Sequence, residues 1–395
     1  MIHRIILTLL VISLSGAGSW AQQTTPGAWQ FAVSGDSRNC GDVVMPAIAQ
    51  SVLKHDVKFY WHLGDFRLMS GVDEDMQVRY KGRLTLEDYS RDAWGDFLAH
   101  QIAPFGLLPI HLGIGNHELY GNKTTQAYVT QFAYWLDTPE LRTQRLNDFS
   151  QDTSLKPYYH WQEGGIEFIY MDNSTDDGFG EAQVSWLEHI LQRDKSDHAI
   201  TAVVIGMHRA LPNSFACGHS MNGDLRDPIT DPDYANHLRR DQMSTESGRR
   251  AYSDLAQWRR ETNKFVYVLA SHSHFFMESV FATDYWKDPQ HGGMVLPGWI
   301  VGTAGAKRYA LPKELSPAVV AQTKASAYVY GYLLATVHPG GMVDFEFKDV
   351  TESDVPADVK ARYGTDFGGK NFVHWCFADN RDERVHPPPP SCRER

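Results

Sequence analysis

No run of lysine or arginine in the sequence is long enough to form a basic face, and the formal net charge is −11 over 395 residues. A chain that neutralises nucleic-acid phosphates needs such a face, so no nucleic acid is expected as a partner. Beyond the first residues, no apolar stretch approaches the length of a membrane-spanning helix. There are only four cysteines, Cys40, Cys217, Cys376 and Cys392, and they form no zinc-knuckle set. Internal repeats are absent, and the only low-complexity tract is the proline run at 387–390.

What is present is ordinary globular composition, 42% hydrophobic and 22% charged. The chain opens on "MIHRIILTLLVISLSGAGSWAQQ". A short basic start, an apolar stretch from Ile5 to Leu14 and small residues before a cut after Ala21 make a secretory signal pattern over 1–21. The mature chain is therefore expected in the periplasm or outside the cell, with no stable membrane anchor. No cysteine stands at the cut, so no lipid anchor is expected. Export permits disulfides, and four cysteines allow three pairings. Cys376 and Cys392 lie close along the chain and are the favoured pair, which leaves Cys40 with Cys217.

Short runs rich in Val, Ile, Tyr and Phe predict strands at 29–36, 57–65, 109–118, 165–173, 199–208, 264–274, 298–306, 328–338 and 342–350. Helical spacing of apolar residues marks 43–54, 87–102, 123–136, 181–193 and 249–261. Strand and helix alternate early, and strands dominate late. The expected class is α/β, a sheet core finished by antiparallel strands. One domain is expected over 22–350, followed by a peripheral extension over 351–395 with a Pro-rich end. The segment 211–238, rich in Pro, Gly, Asn and Asp, predicts a long functional loop.

The ends of the strands share a chemistry. In order they read "SGDSR", "HLGDF", "GNHE", "GMH" and "ASHSH". Each places Asp, Asn or His just after an apolar run, and binding sites in open α/β sheets form at the carboxyl ends of strands. Asp36, Asp65, Asn116, His208, His272 and His274 are thus expected to converge. Burying that many ligand groups is costly without a cation. Carboxylate, amide oxygen and imidazole suit Mn, Fe or Zn. His272 and His274 are two apart, so on an extended chain both face one way, placed to bracket a metal pair. Such a pair clamps a phosphoryl group and supplies a hydroxide nucleophile.

This series resembles the calcineurin-like metallophosphoesterase superfamily, whose pattern is Asp, GD, GNH[DE], a later His and GHxH, over about residues 29 to 280. The resemblance implies a four-layer α/β/β/α sandwich of the metallo-dependent phosphatase type. It also implies two divalent ions and hydrolysis of small-molecule phosphate esters, in the manner of a phosphomonoesterase. It assigns Asp36 and His274 to one metal, Asn116, His208 and His272 to the other, and Asp65 to the bridge. His117 then stands near the leaving-group oxygen, as proton donor or charge stabiliser, and Glu118 orients one of its neighbours. Three departures matter. The family often has Asp-x-His first, where this chain has Asp36-Ser37-Arg38. Arg38 therefore deprives the first metal of a ligand and is expected to lend its charge to the substrate. Leu68 stands where purple acid phosphatases carry Tyr, so no purple colour is expected. "GDFRLMS" does not match the GDxxDRG of protein Ser/Thr phosphatases.

Two other readings remain open at this point. "GDS" at 35–37 resembles the start of the SGNH esterases, with Ser37 as nucleophile and Asn116 in an oxyanion hole. Such enzymes want Asp-x-x-His near the C-terminus, where this chain offers Ala335 before His338 and Glu383 before His386. The second is a non-catalytic secreted binding protein with a decayed phosphatase site, a reading fed by Arg38. Arg67 and Arg209 also follow motif residues as phosphate-binding candidates. Trp61, Phe66, Tyr120 and Phe275 adjoin motifs as candidates for stacking on a base.

Overall fold

Alternation along the strands decides how the molecule layers. In "VKFYWH" (57–62), Phe59 and Trp61 point one way and meet Phe168 at ring-centroid distances of 5.2 and 6.2 Å. Tyr60 and His62 point the other way, to Phe105 at 4.3 Å and Phe97 at 5.7 Å. One face of this strand thus looks at a second sheet and the other at helices, as side-chain period two requires.

The computed structural model of the protein describes residues 27–223, 228–312 and 315–382. The expected signal segment, the Pro-rich end, Cys392, Glu383 and His386 lie outside the described residues, as does the side chain of Cys217. In chain order the main strands are β1 (Trp29–Ser34), β2 (Val57–His62), β3 (Ile110–Leu112), β4 (Tyr159–Glu163), β5 (Ile166–Met171) and β6 (Ala202–Met207). They continue with β7 (Phe265–Ala270), β8 (Phe276–Glu278), β9 (Gly298–Val301), β10 (Arg308–Tyr309), β11 (Gly331–Val337) and β12 (Val343–Asp349). One sheet has the order β12-β11-β1-β2-β3 and the other β4-β5-β6-β7-β9-β8. β1, β2 and β3 are parallel, and β11 and β12 join them antiparallel. β5, β6, β7 and β9 are parallel, with antiparallel β4 and β8 at the two edges.

The sheets face each other across an aromatic layer. Phe31 meets Phe168 edge-on at 5.2 Å, and Tyr267 meets Phe345 at 5.6 Å. Phe168 is fully buried at this seam, and its truncation to Ala would cost roughly 3–5 kcal/mol. Helices α1 (Gly41–Val52), α2 (Glu74–Arg79) and α3 (Leu86–Phe97) belong to the side of the first sheet. Thr85 caps α3 by accepting from the Asp88 nitrogen at 3.1 Å, and Phe97 stacks on Phe66 at 4.2 Å. On the far side, helices Glu181–Ser196 and Tyr234–Thr262 cover the second sheet. They share a separate core with Ile169, Val203, Ile205 and Val268. The result is the expected α/β/β/α sandwich.

Three expectations need correction. First, the segment beyond Thr351 is not peripheral as far as it is described. Val355, Val359, Tyr363 and Phe372 are buried in the main core, and the Tyr363 hydroxyl donates to Asp42 Oδ2 at 2.6 Å. Second, the disulfide joins Cys40 to Cys376, so neither expected pairing holds. The short helix Phe372–Ala378 folds back onto the start of α1, where Cys40 is the residue before the helix. Closeness in space overrides the closeness along the chain that favoured Cys392. Third, the helix expected at 249–261 begins at Tyr234. Its first half buries Asp241, Ser244, Thr245 and Gly248. That spacing is helical, but the residues are not apolar, so hydrophobic periodicity misses it.

Candidate active site

The motif residues sit where parallel strands end. Asp36 follows β1, Asp65 follows β2, and His272 follows β7, each in the left-handed region with φ of 61°, 58° and 63°. Holding three non-glycine residues there costs on the order of 1 kcal/mol each, a strain that clusters at functional sites. The turn leaves room for nothing larger at Gly115, where a Cβ would collide with Asp65 Oδ1.

Four of the predicted residues form one tight group. The nearest ligand atoms of Asp65, His208 and His272 all lie within 4.8 Å of one another. His208 Nε2 is 3.0 Å from Asn116 Oδ1, 3.0 Å from His272 Nδ1 and 3.3 Å from Asp65 Oδ1. The opposite ring nitrogen, His208 Nδ1, donates to the Leu63 carbonyl at 3.0 Å and lies 3.1 Å from the Ser271 hydroxyl. That contact fixes the tautomer and turns the Nε2 lone pair toward the other three residues. Burial opposes charge on Asp65, but His208, His117 and Arg38 together outweigh it and hold its carboxyl well below the usual carboxylate range. On His208 burial lowers the pKa, and the neighbouring Asp65 overrides it and raises it. Asp65 Oδ2 is buried with no hydrogen-bond partner. That oxygen faces Arg38 at 3.8 Å, while Oδ1 of the same carboxylate, two imidazoles and an amide oxygen make a donor set that fits a divalent ion.

Asp36 and His274 form a second group on the other side of Asp65. Asp36 Oδ2 accepts from the His272 backbone nitrogen at 2.7 Å. Its Oδ1 has no hydrogen-bond partner and lies 3.2 Å from His274 Nε2. The ring of His274 stacks on Tyr309 at 4.2 Å, and its Nδ1 donates to the Lys307 carbonyl at 2.7 Å. The guanidinium of Arg38 lies in this group, only 7% exposed. Its Nη2 is 2.8 Å from His274 Nε2, its Nη1 contacts His117 Nε2 and lies 3.8 Å from Asp65 Oδ2. This set does not fit an ion as it stands, because the cation it surrounds is Arg38.

His117 is held from both sides of its ring: Nδ1 donates to the Leu68 carbonyl and Nε2 faces Arg38. Burial first, then Arg38, pushes its pKa down to about 4. The ring is therefore neutral near pH 7 and presents a lone pair to the guanidinium. Glu118 binds backbone, not a side chain: its oxygens accept from the nitrogens of Asp65, Phe66 and Gly115 at 2.9, 2.8 and 2.7 Å.

Other candidates fall elsewhere. Arg67 is fully buried among Asp42, Asp75 and Asp96, so it is not open to a phosphate. Arg209 reaches Asp176 at 3.1 Å. Trp61, Phe66 and Phe275 are core residues. Tyr120 alone of the four aromatic candidates is exposed, with its ring 4.8 Å from that of His117. Ser37 is fully buried, 3.0 Å from His62 Nε2, a position no acyl substrate reaches. Sequence reasoning missed Tyr309 and His219, whose ring lies 5.7 Å from that of His272. The composition of the 211–238 loop marked that segment, but nothing singled out its histidine.

No family model matches the sequence, and no curated protein matches it by sequence. Among solved structures, the protein is similar to a purple acid phosphatase from yellow lupin (Lupinus luteus) seeds, with a TM-score of 0.51 at 15% identity. That match covers 85% of this chain and 53% of the lupin chain, so the protein spans about half the length of that structure. The chain has the four-layer α/β/β/α fold of that phosphatase. The structure of PhoD also matches, with a TM-score of 0.45 at 14% identity over 82% of this chain and 72% of that one. In the metallophosphoesterase fold seen here, the strand ends of both sheets meet at one rim, which is why residues from 36 to 274 share a site. Among the described residues, no helix is long and apolar enough to cross a membrane.

Proposed function

We propose that the protein is an exported, metal-dependent phosphoesterase acting on a small-molecule phosphate ester. The observation that carries this reading is the convergence of Asp65, Asn116, His208 and His272 around one point, beside Arg38 and His117. Asp65, Asn116, His208 and His272 hold a divalent ion of the Mn, Fe or Zn type. Bound there, such an ion supplies Lewis acidity toward a phosphoryl oxygen and eases the deprotonation of water. The protein groups do the rest. Arg38 offers two N–H groups in a plane, the geometry that matches two phosphate oxygens. His117 stands at its edge with Nε2 turned to the guanidinium, and it passes a proton to the leaving oxygen only after that nitrogen has itself been protonated. Asp36 anchors the His272 backbone and faces Arg38. Export rests on the N-terminal segment, and the phosphomonoester preference on the resemblance in motif order.

The test is hydrolysis of a panel of mono-, di- and nucleotide esters by the purified protein loaded with Mn, Zn or Fe. Activity is expected to vanish on chelation and return with metal, and Asp65→Asn is expected to lose both bound metal and turnover. Turnover that survives exhaustive chelation with no metal bound would overturn the reading.

A further inference from the structure

The metallophosphoesterase reading implies a pair of ions, yet one half of this centre already contains a cation. Three acceptors lie around Arg38, namely His274 Nε2, His117 Nε2 and Asp65 Oδ2, and Asp36 Oδ1 stands next to His274 Nε2 at 3.2 Å. Both imidazoles donate their Nδ1 hydrogens to backbone carbonyls, those of Lys307 and Leu68. Each therefore carries its lone pair on Nε2, and both lone pairs meet a guanidinium N–H. These are the electron pairs an ion at this place would need. The arrangement is fixed from several directions. His274 is clamped between Tyr309 and the Lys307 carbonyl, and Asp36 is tied to the His272 backbone.

The position of Arg38 explains the choice of cation. It stands two residues after Asp36, where the motif order calls for a ligating imidazole. A guanidinium has no acceptor and stays protonated, so it cannot ligate an ion and repels one nearby. Buried charge is costly unless paired; the Asp65 carboxylate pairs it at 3.8 Å, and Asp36 adds attraction at longer range. Opposite them, Asp65 Oδ1, Asn116, His208 and His272 form their own donor set, which Arg38 does not enter.

We propose that this centre binds a single divalent ion at Asp65, Asn116, His208 and His272, and that the Arg38 guanidinium takes the place of the second ion. The inference rests on the phosphoesterase reading and sharpens it: the phosphate sits between one ion and one arginine. The arginine supplies a fixed single charge and two directed N–H groups in place of a dication with open coordination positions.

The experiment loads the full chain with Mn2+, removes excess ion by gel filtration, and measures manganese per chain together with its electron paramagnetic resonance spectrum. One ion per chain with the hyperfine pattern of an isolated Mn2+ is the expected result. Two ions per chain with an exchange-coupled spectrum, in a protein whose turnover needs metal, overturns this inference and leaves the phosphoesterase reading intact. No bound ion, with turnover insensitive to chelators, overturns both. Arg38→His restores an imidazole at the position and is expected to raise the count to two ions with a coupled spectrum. A folded Arg38→His that still binds one ion contradicts the claim that Arg38 keeps the second out. Should that variant fail to fold, the count and spectrum of the native chain decide alone.

Discussion

Glu118 Oε2 lies 2.9 Å from the backbone nitrogen of Asp65 and accepts its hydrogen. Through its other contacts the same carboxylate holds Phe66 and Gly115, so one buried side chain fixes the two turns that carry Asp65 and Asn116. Glu118→Ala leaves three backbone N–H groups without that acceptor. Metal affinity is expected to fall by about 10–100-fold, as for other residues that position ligands. Isothermal titration with Mn2+ checks this, and an unchanged affinity would remove Glu118 from the design of the site.

His117 tests the division between chemistry and scaffolding. His117→Ala is expected to lower kcat by roughly 10²–10⁴ on an alkyl phosphate, where the leaving oxygen needs help. The loss should shrink on nitrophenyl phosphate, and bound metal should stay unchanged. An equal loss on both substrates with a raised KM would instead make His117 the residue that holds Arg38 through Nε2.

Far from the site, stability should depend on pH through His160. Its ring is 3% exposed and lies 2.6 Å from both Asp148 and Glu167. Burial lowers its pKa, but the two carboxylates outweigh burial and raise it to about 9. A raised folded-state value means the protonated form stabilises the fold. The contribution is full below about pH 6.5 and is lost as pH rises through 9. Up to roughly 3 kcal/mol is involved. Thermal unfolding of the native chain should show Tm falling between these pH values, and His160→Gln should flatten that slope while lowering Tm at pH 6.

The Cys40–Cys376 bond closes a loop spanning 336 positions. Cys376→Ser, or reduction, is expected to cost about 2–4 kcal/mol, mainly by freeing the unfolded chain. Denaturant melts in the presence and absence of reductant measure it. Unreduced peptide mapping should return the Cys40–Cys376 pair, and recovery of a Cys376–Cys392 peptide would contradict the structure.

The sequence by itself determined the strands and the chemistry at their ends. All nine strands expected from apolar runs are present, because β-branched and aromatic residues at period two report a half-buried surface without help from the rest of the chain. Asp65, Asn116, His208 and His272 were legible for the same reason: a carboxylate, an amide and imidazoles at the ends of apolar runs have few other uses. Where the local signal was weak, the reading was incomplete. β4, "YHWQE", is half polar and exists because the Gly164–Gly165 turn folds it onto β5. The first half of Tyr234–Thr262 buries small and polar residues and carries no apolar period.

Only the tertiary structure decided the contacts that join distant segments. Cys40 pairs with Cys376 because residues 355–376 fold back into the core, and distance along the chain says nothing about that. Arg67 looked like Arg38 in sequence, each two residues after a motif Asp, yet one is locked among three aspartates and the other faces two imidazoles. A residue's type fixes what it can bind, whereas its partners depend on loops that meet only after both sheets have packed. That is why the convergence of Asp65, Asn116, His208 and His272 could be read from the sequence, and why the place of Arg38 beside it could not.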